Sequence, residues 1–179
     1  HVGAYGNKVV KTPNIDRLAA GGVRADECHV ATPICMPNRA AFMTGRMPSI
    51  NGVRHNGLEL SLDETTVVDA LRDAGWRTAL VGKSHLQCIN DLPAQIPADP
   101  KDKLPREARR KAPGVYNQEL ETLWEKQPSH DLTLPYYGFE RAHLSIMHAD
   151  TQRGHWRRWI RTQTKDADKL IGPENAIPT

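Results

Sequence analysis

The length, composition and charge of the chain are those of an ordinary folded domain, or of part of one. Its 179 residues can bury one hydrophobic core, and 39% hydrophobic with 25% charged residues is usual for such a domain. A net charge of +3 is too small to indicate nucleic-acid binding, and no apolar run approaches the ~18 residues that span a membrane. Three cysteines without paired spacing do not indicate a disulfide framework.

The first predicted elements are a short helix and a strand. Thr12-Pro13 is typical of an N-cap followed by a proline in the first helical turn, and Gly21-Gly22 would end the helix. The apolar run Val23–Val30 then predicts a strand, which would lead to a turn and to Cys35.

A second helix is predicted at Cys35. Pro37 in its first turn and Gly45 after its last turn bound a helix-length run, which places Cys35 at the helix N-terminus. Free backbone N–H groups and the positive end of the helix dipole favour a thiolate or a bound oxyanion at such a position. Taken alone, a lone cysteine is more often a buried structural residue. A zinc site of Cys28, His29 and Cys35 is not expected, because Cys35 follows Cys28 by seven positions, which does not fit the short gaps of structural zinc sites.

The stretch 47–57 is rich in glycine and asparagine and predicts a loop. Functional residues concentrate on loops of this kind, and Asn56 is a candidate for substrate binding. An asparagine followed by glycine is more often part of a turn, so both interpretations of Asn56 stay open.

The pattern of the next stretch predicts an α/β fold. Ser61–Ala74 has apolar residues at helical spacing and ends at Gly75, and Trp76–Gly82 then predicts a buried strand. Strand, helix and strand in this order favour a largely parallel sheet flanked by helices. Ligands of such sheets bind beyond the carboxyl ends of the strands, where Lys83 and His85 lie. Alternation at the strand end would turn both side chains toward one substrate.

The rest of the chain carries fewer residues with evident chemistry. The stretch 89–114 is charged and rich in proline, which predicts a surface insert. Asn117–Lys126 predicts a short amphipathic helix, and Arg141–Met147 predicts a strand. We interpret His148 and the residues after it as a helix start capped by Asp150, with a contribution to a substrate pocket as the alternative.

Two motifs resemble the type I sulfatases of the alkaline phosphatase superfamily. Cys35-Met36-Pro37-Asn38-Arg39, followed by Thr44-Gly45-Arg46, matches the Cys-x-Pro-x-Arg signature of that family. Gly82-Lys83-Ser84-His85-Leu86 matches its Gly-Lys-x-His-Leu motif. The resemblance implies an alkaline-phosphatase-like α/β fold, with residues 1–179 as part of a sulfatase catalytic domain. Its subdivisions would be a nucleophile and sulfate-binding core at 1–88, the proline-rich insert at 89–115 and a helix and strand continuation at 116–179.

The resemblance also implies a reaction, the hydrolysis of a sulfate ester. In this family a formylglycine-generating enzyme oxidises the cysteine to an aldehyde, and one hydroxyl of the hydrated aldehyde attacks the sulfur. Cys35 would be that nucleophile, and Arg39 would hold its hydroxyl and the sulfate. Lys83 would bind sulfate oxygens and His85 would assist the leaving group, while Asn56 matches a substrate-binding asparagine of the related phosphonate monoester hydrolases.

A divalent cation is the cofactor that the resemblance implies. Calcium is expected, with magnesium or manganese as alternatives, and Cys35 as formylglycine would be one of its ligands. The resemblance implies that the acidic ligands of the cation fall outside these 179 residues, so we expect the chain alone to hydrolyse little or no ester.

The expected partners, the location in the cell and the alternative functions of the protein are judged from the same resemblance. The expected partners are a small-molecule sulfate ester and the formylglycine-generating enzyme, without nucleic acid or membrane, and a homo-oligomer is left open. We expect a cytoplasmic protein, with export to the periplasm as the alternative. The alternative functions are a phosphonate monoester or phosphodiester hydrolase with the same nucleophile, and a non-catalytic binding domain in which Cys35 stays a thiol. The pair Lys83 and His85 favours sulfate esters, because the phosphonate hydrolases that share the first motif lack it.

Overall fold

A computed structural model describes residues 2–92, 94 and 108–175 of the chain. The chain divides into two compact units, His1–Val30 and Ala31–Thr179. No helix among the described residues is long and apolar enough to cross a membrane.

The smaller unit is built around one helix, α1 (Pro13–Ala20), which begins after Thr12 as predicted. Asp16 in its first turn holds the preceding segment, because its Oδ1 accepts hydrogen bonds from the N–H of Ala4 at 2.6 Å and the hydroxyl of Thr12 at 2.9 Å. The predicted strand Val23–Val30 is wrong, since none of these described residues is in a strand. Their apolar side chains lie in solvent instead, with Val23 98% exposed. Among the described residues of this unit, the segment has no neighbouring strand to pair with.

The larger unit contains six helices and three strands among its described residues. The helices are α2 (Cys35–Thr44), α3 (Pro48–Asn51), α4 (Val67–Asp73), α5 (Glu121–Lys126), α6 (His155–Gln163) and α7 (Ala167–Leu170). The strands are β1 (Ala79–Gly82), β2 (Arg141–Ile146) and β3 (Arg153–Gly154). The predicted helix at Cys35 and the predicted strand at Arg141 are thus confirmed. Of the predicted insert at 89–114, the described residues form no helix or strand, and the others lie outside the described residues.

The three strands form a mixed sheet in the order β1-β2-β3. β1 and β2 are parallel, with Ala79 opposite Arg141 and Gly82 opposite Leu144, and β3 adds a short antiparallel edge. β1 is shorter than the predicted strand at 76–82 and is half exposed rather than buried. It pairs with β2 alone among the described residues, so its side chains are covered less than those of a central strand.

The helix predicted from Ser61 begins later, at Val67. A capping box fixes this start: the Thr66 hydroxyl accepts the N–H of Asp69 at 3.1 Å, and the Asp69 carboxylate accepts the N–H of Thr66 at 2.9 Å. Ser61 is buried before the helix, and its hydroxyl accepts the N–H of Ala112 at 2.7 Å. Periodicity alone did not show which of the two hydroxyl residues would cap the helix.

Two apolar clusters hold the larger unit together. The first packs the buried face of α2 against the segment after β1 and an aromatic turn, and contains Met36, Ala40, Met43, Val53, Leu60, Val68, Leu86, Tyr136 and Tyr137. The second packs α5 against β2, and contains Ile89, Trp124, Leu144 and Ile146. Because Met36 and Leu86 share one cluster, the N-terminus of α2 is fixed beside the carboxyl end of β1.

Candidate active site

Cys35 is the first residue of α2, as the sequence predicts. The helix buries Met36 and Ala40 on its inner face and ends at Gly45, which takes the left-handed conformation (φ +66°) that glycine adopts without strain. Cys35 itself is partly exposed and is a free thiol. The nucleophile candidate therefore stands at the positive end of the α2 helix dipole, which favours a thiolate or a bound anion.

Asn56 lies directly beside Cys35. Its Oδ1 is 3.6 Å from Cys35 Sγ, within reach of the S–H, and accepts the N–H of Met36 at 3.3 Å. The predicted loop at 47–57 is confirmed except for the short helix α3, and the side chain of Asn51 ties it down through bonds to Arg46 and Val53. Asn56 thus reaches from this loop to the start of α2, where it can orient a group on residue 35.

Arg39 joins the two sequence motifs. It lies one helical turn after Cys35, and its Nη1 donates a hydrogen bond to the backbone carbonyl of Lys83 at 2.6 Å. Cys35, Arg39 and Lys83 line one cleft of about 450 Å³, together with Ser84 and Phe139. This bond uses one of the five guanidinium N–H groups of Arg39. The other four belong to the same side chain, which lines the cleft.

Lys83, after β1, contacts a histidine that follows the neighbouring parallel strand β2. Its Nζ lies 2.7 Å from Nε2 of His148, so the ammonium donates to the unprotonated ring nitrogen. Burial lowers the pKa of Lys83, and the Arg39 charge acts in the same direction while Cys35 and Glu119 oppose it. The positive charge of Lys83 is the main cause that lowers the pKa of His148, which favours a neutral imidazole there.

His148 was only the alternative interpretation of its segment, and the structure places it at the site. Asp150 is not the cap of a helix, which corrects the first interpretation. The short 3₁₀ turn Ala149–Thr151 starts after His148, which is its N-cap residue. A histidine after the end of β2 has the same relation to the sheet as Lys83 has after β1, and that parallel was the available sequence clue.

His85 is buried, with 4% of its surface exposed, and it adopts a left-handed backbone (φ 56°). Burial, followed by the charges of Lys83, Arg39 and His148, lowers its pKa to about 3. The imidazole is therefore neutral at ordinary pH and serves as a hydrogen-bond donor or acceptor rather than as a cation. Its Nδ1 is buried and has no hydrogen-bond partner within the described residues.

A second cleft of about 360 Å³ is lined by Asn56, His85 and His148, with His55 and the apolar Ile34 and Met147. The Cys35–Asn56 and Lys83–His148 contacts connect its lining to that of the first cleft. All the sequence-predicted site residues thus converge on two adjoining clefts, which together offer a nucleophile position, two cations and neutral imidazoles.

Glu119 is the residue that sequence reasoning missed most completely. It falls within the predicted helix 117–126, but α5 starts only at Glu121, and Glu119 lies before it with a fully buried side chain. Its carboxylate contacts the backbone immediately after Lys83. An acidic residue inside an apolar pattern was the one clue, and such residues are usually exposed.

The donors beside Cys35 do not fit a hard divalent cation. Such a cation takes six or more oxygen ligands, largely carboxylates, whereas Cys35 is flanked by one amide oxygen and two basic side chains. Across residues 2–92, 94 and 108–175, no three His, Cys, Asp or Glu side chains are grouped so as to hold a metal ion. The groups that these residues place around Cys35 are therefore suited to binding an anion rather than a cation.

Comparison with known proteins matches the same part of the chain that holds the two motifs. The Sulfatase family model matches residues 1–95. Steryl-sulfatase from Homo sapiens is 47% identical over 95 residues, which are 47% of this chain and 16% of that protein. Arylsulfatase A from Bos taurus is 42% identical over 91 residues, covering 48% of this chain and 18% of that protein. The chain thus spans less than a fifth of the length of these relatives.

The fold is shared over nearly the whole chain with a solved structure. The phosphonate monoester hydrolase of Agrobacterium radiobacter superposes with a TM-score of 0.58 at 24% identity, covering 98% of this chain and 29% of that one. This likeness confirms the predicted α/β, alkaline-phosphatase-like fold class. It extends through β2 and α6, beyond the residues that the family model matches.

Proposed function

The chain belongs to the sulfatase family, and on that premise we propose that it carries the nucleophile and the sulfate-binding groups of a sulfuric ester hydrolase. The supporting observation is the junction of the two motifs, in which Arg39 from the first donates to the Lys83 carbonyl of the second. Cys35, oxidised to formylglycine, would be the nucleophile.

The proposed reaction uses the position of the Cys35 thiol. Oxidation replaces Sγ by an aldehyde oxygen, and hydration of the aldehyde gives two hydroxyls on the same carbon. One hydroxyl attacks the sulfur and displaces the alcohol, and loss of the proton from the second then expels sulfate and restores the aldehyde. Asn56 Oδ1, which now lies beside the thiol, would accept a hydrogen bond from one of these hydroxyls and hold the other toward the ester.

The sulfate would be bound by the cations of the site. Lys83 is partly desolvated, so its attraction to a sulfate oxygen is less screened than in water. Arg39 adds the guanidinium N–H groups that its bond to Lys83 does not use, and the positive end of the α2 dipole also favours an anion. His85, neutral and facing little solvent, would donate a hydrogen bond to the leaving oxygen.

A divalent cation, expected to be calcium, stays part of the proposal as a group that would lower the charge of the sulfate and of the attacking hydroxyl. Its ligands are not found beside Cys35 in the described residues. We therefore propose that the 179-residue chain alone turns over little ester, even when Cys35 is oxidised.

The alternative of a phosphonate monoester or phosphodiester hydrolase has weaker support. A structure with that activity shares the fold, but its identity of 24% supports the fold alone. Lys83 lines the first cleft and His85 the second, and the presence of this pair favours sulfate esters.

The test is a mass spectrum of the peptide that contains Cys35, from protein co-expressed with a formylglycine-generating enzyme. We expect the thiol mass to be replaced by that of an aldehyde, which a hydrazide captures as a hydrazone. Cys28 is the internal control, because an exposed cysteine outside the motif should remain an alkylatable thiol. An alkylatable Cys35 under conditions that convert a known substrate peptide would contradict the proposal and favour the non-catalytic alternative.

A further inference from the structure

The carboxylate of Glu119 is completely buried, and four hydrogen-bond donors converge on it. Its Oε2 accepts the N–H of His85 at 2.7 Å, and its Oε1 accepts the N–H groups of Leu86 at 2.9 Å and Gln87 at 3.1 Å. The hydroxyl of Tyr136 donates to Oε1 at 2.6 Å. Glu119 therefore holds three consecutive peptide groups that lie more than 30 residues earlier in the chain.

These contacts call for an ionised carboxylate. Backbone N–H groups can only donate, and burial raises the pKa of Tyr136 so that its hydroxyl keeps its proton. Burial also raises the pKa of Glu119, but all four hydrogen bonds act against that change by favouring the charged form. A protonated Glu119 would present a hydrogen toward groups that are themselves donors.

The backbone at His85 explains why an acidic residue is needed there. The left-handed conformation of His85 turns successive N–H groups toward one point, which forms a concave anion site. Left-handed backbone is strained for a residue other than glycine, so it persists only where contacts over-determine it. Glu119 fills this concavity with an internal anion.

Resting on the proposed function, we propose that Glu119 is a positioning residue of the sulfate site: by anchoring the peptide groups of residues 85–87, it sets the direction in which Lys83 and His85 meet the substrate anion. Arg39 holds the Lys83 carbonyl from the other side, so the segment is clamped at both ends by charge-assisted hydrogen bonds. The negative charge of Glu119 also raises the pKa of Lys83, which opposes the lowering of that pKa by burial.

The test compares Glu119→Gln with Glu64→Gln in the 179-residue chain. Glu64 is a matched control, because it is also a fully buried carboxylate but pairs with Arg46 and Arg109 rather than with the site. Inorganic sulfate is titrated into each protein, and binding is followed by NMR at the amides of residues 83–87. We expect Glu119→Gln to weaken sulfate binding at least about tenfold and to shift the amide protons of His85, Leu86 and Gln87 upfield. Glu64→Gln should lower the thermal stability while it leaves the sulfate affinity within about twofold.

Two outcomes separate this inference from the proposed function. If Glu119→Gln binds sulfate like the unmodified sequence while Lys83→Met does not, the anion site stands and the positioning role of Glu119 is overturned. If the unmodified sequence binds no sulfate near Lys83, the sulfate site fails, and the positioning role fails with it.

A measurement on the unmodified sequence covers the case in which Glu119→Gln does not fold. Three quantities are measured as the pH is changed: the ¹³C shift of the Glu119 carboxyl, the amide-proton shifts of residues 85–87 and the sulfate affinity. We expect one common transition, in which protonation of Glu119 releases the three amides and weakens sulfate binding together. Sulfate affinity that does not change when the three amides are released would overturn the inference.

Discussion

The segments 31–92 and 108–175 both contribute to the site, but in different ways. The first lies wholly inside the part that the sulfatase family model matches, and it supplies Cys35, Arg39, Lys83 and His85. The second lies outside that part and supplies His148 beside Lys83 and Glu119 behind His85. The groups proposed to react come from two recognisable motifs, whereas His148 and Glu119, which contact them, come from sequence without one.

This division has a physical reason. A nucleophile at a helix start and a cation beyond a strand must be particular residue types at fixed spacing. A supporting carboxylate has only to place its oxygens at one point, and any element that passes there can provide it. The supporting residues therefore leave no fixed spacing in the sequence.

The largest expected effect concerns the first segment. Cys35→Ala removes the aldehyde, so in a sulfatase that contains this chain the hydrolysis of an aryl sulfate should fall by at least about a thousandfold, because the covalent route is lost. The thermal stability should change little, since Cys35 is partly exposed and outside the apolar clusters. Cys28→Ala is the matched control and should keep the activity. Substantial hydrolysis by Cys35→Ala would show that the motif does not supply the nucleophile.

The next effect concerns the junction inside the first segment. Arg39→Met removes both a cation and the bond to the Lys83 carbonyl, and sulfate affinity should fall by roughly 10- to 100-fold. Arg46→Met, in the same motif, loses only a partly exposed ion pair with Glu64 and should bind sulfate normally. The measurement is an isothermal titration with sulfate at constant ionic strength. Equal affinities for the two variants would contradict the assigned role of the junction.

The sequence predicted the elements that carry the candidate site where local rules are strong. Pro37 and Gly45 fixed the ends of α2, and the strand before Lys83 fixed its place at the edge of the sheet. It failed where distant contacts decide. The strand at Val23–Val30 was wrong, because an apolar pattern does not show whether a neighbouring strand exists.

Glu119 and His148 show the same limit at the site itself. Glu119 lies in a sequence pattern that fits a helix, and its role depends on a turn more than 30 residues earlier. His148 became part of the site because β2 pairs in parallel with β1, which brings the residues after both strands to one edge. Neither contact has a short-range counterpart in the chain.

A smaller effect tests the burial of His85, which belongs to the first segment. The pKa of His85 is held at about 3 in the folded protein and is about 6.5 in an unfolded chain, so below pH 6.5 the unfolded state takes up a proton that the folded state does not. Its contribution to stability is therefore present above pH 6.5 and is lost by about 1.4 kcal/mol for each unit that the pH falls, down to about pH 3. His85→Asn keeps a residue suited to left-handed backbone. Between pH 7 and 5 its free energy of unfolding should fall by about 2 kcal/mol less than that of the unmodified sequence. Urea unfolding at each pH measures this difference, and parallel curves would show that His85 is not buried as described.

The finest test concerns one of the contacts between the two segments, that of Lys83 with His148. The charge of Lys83 is the main cause that lowers the pKa of His148, so Lys83→Met should raise that pKa toward the ordinary value for histidine. Lys169→Met is a matched control, because Lys169 pairs with Asp166 on the surface and should leave the titration of His148 unchanged. The pKa is read from the ring-proton shifts of His148 in an NMR titration at low salt, where the interaction is screened least. If the contact exists in solution, the pKa of His148 rises when the lysine charge is removed. If Lys83 does not contact His148 in solution, that pKa stays the same.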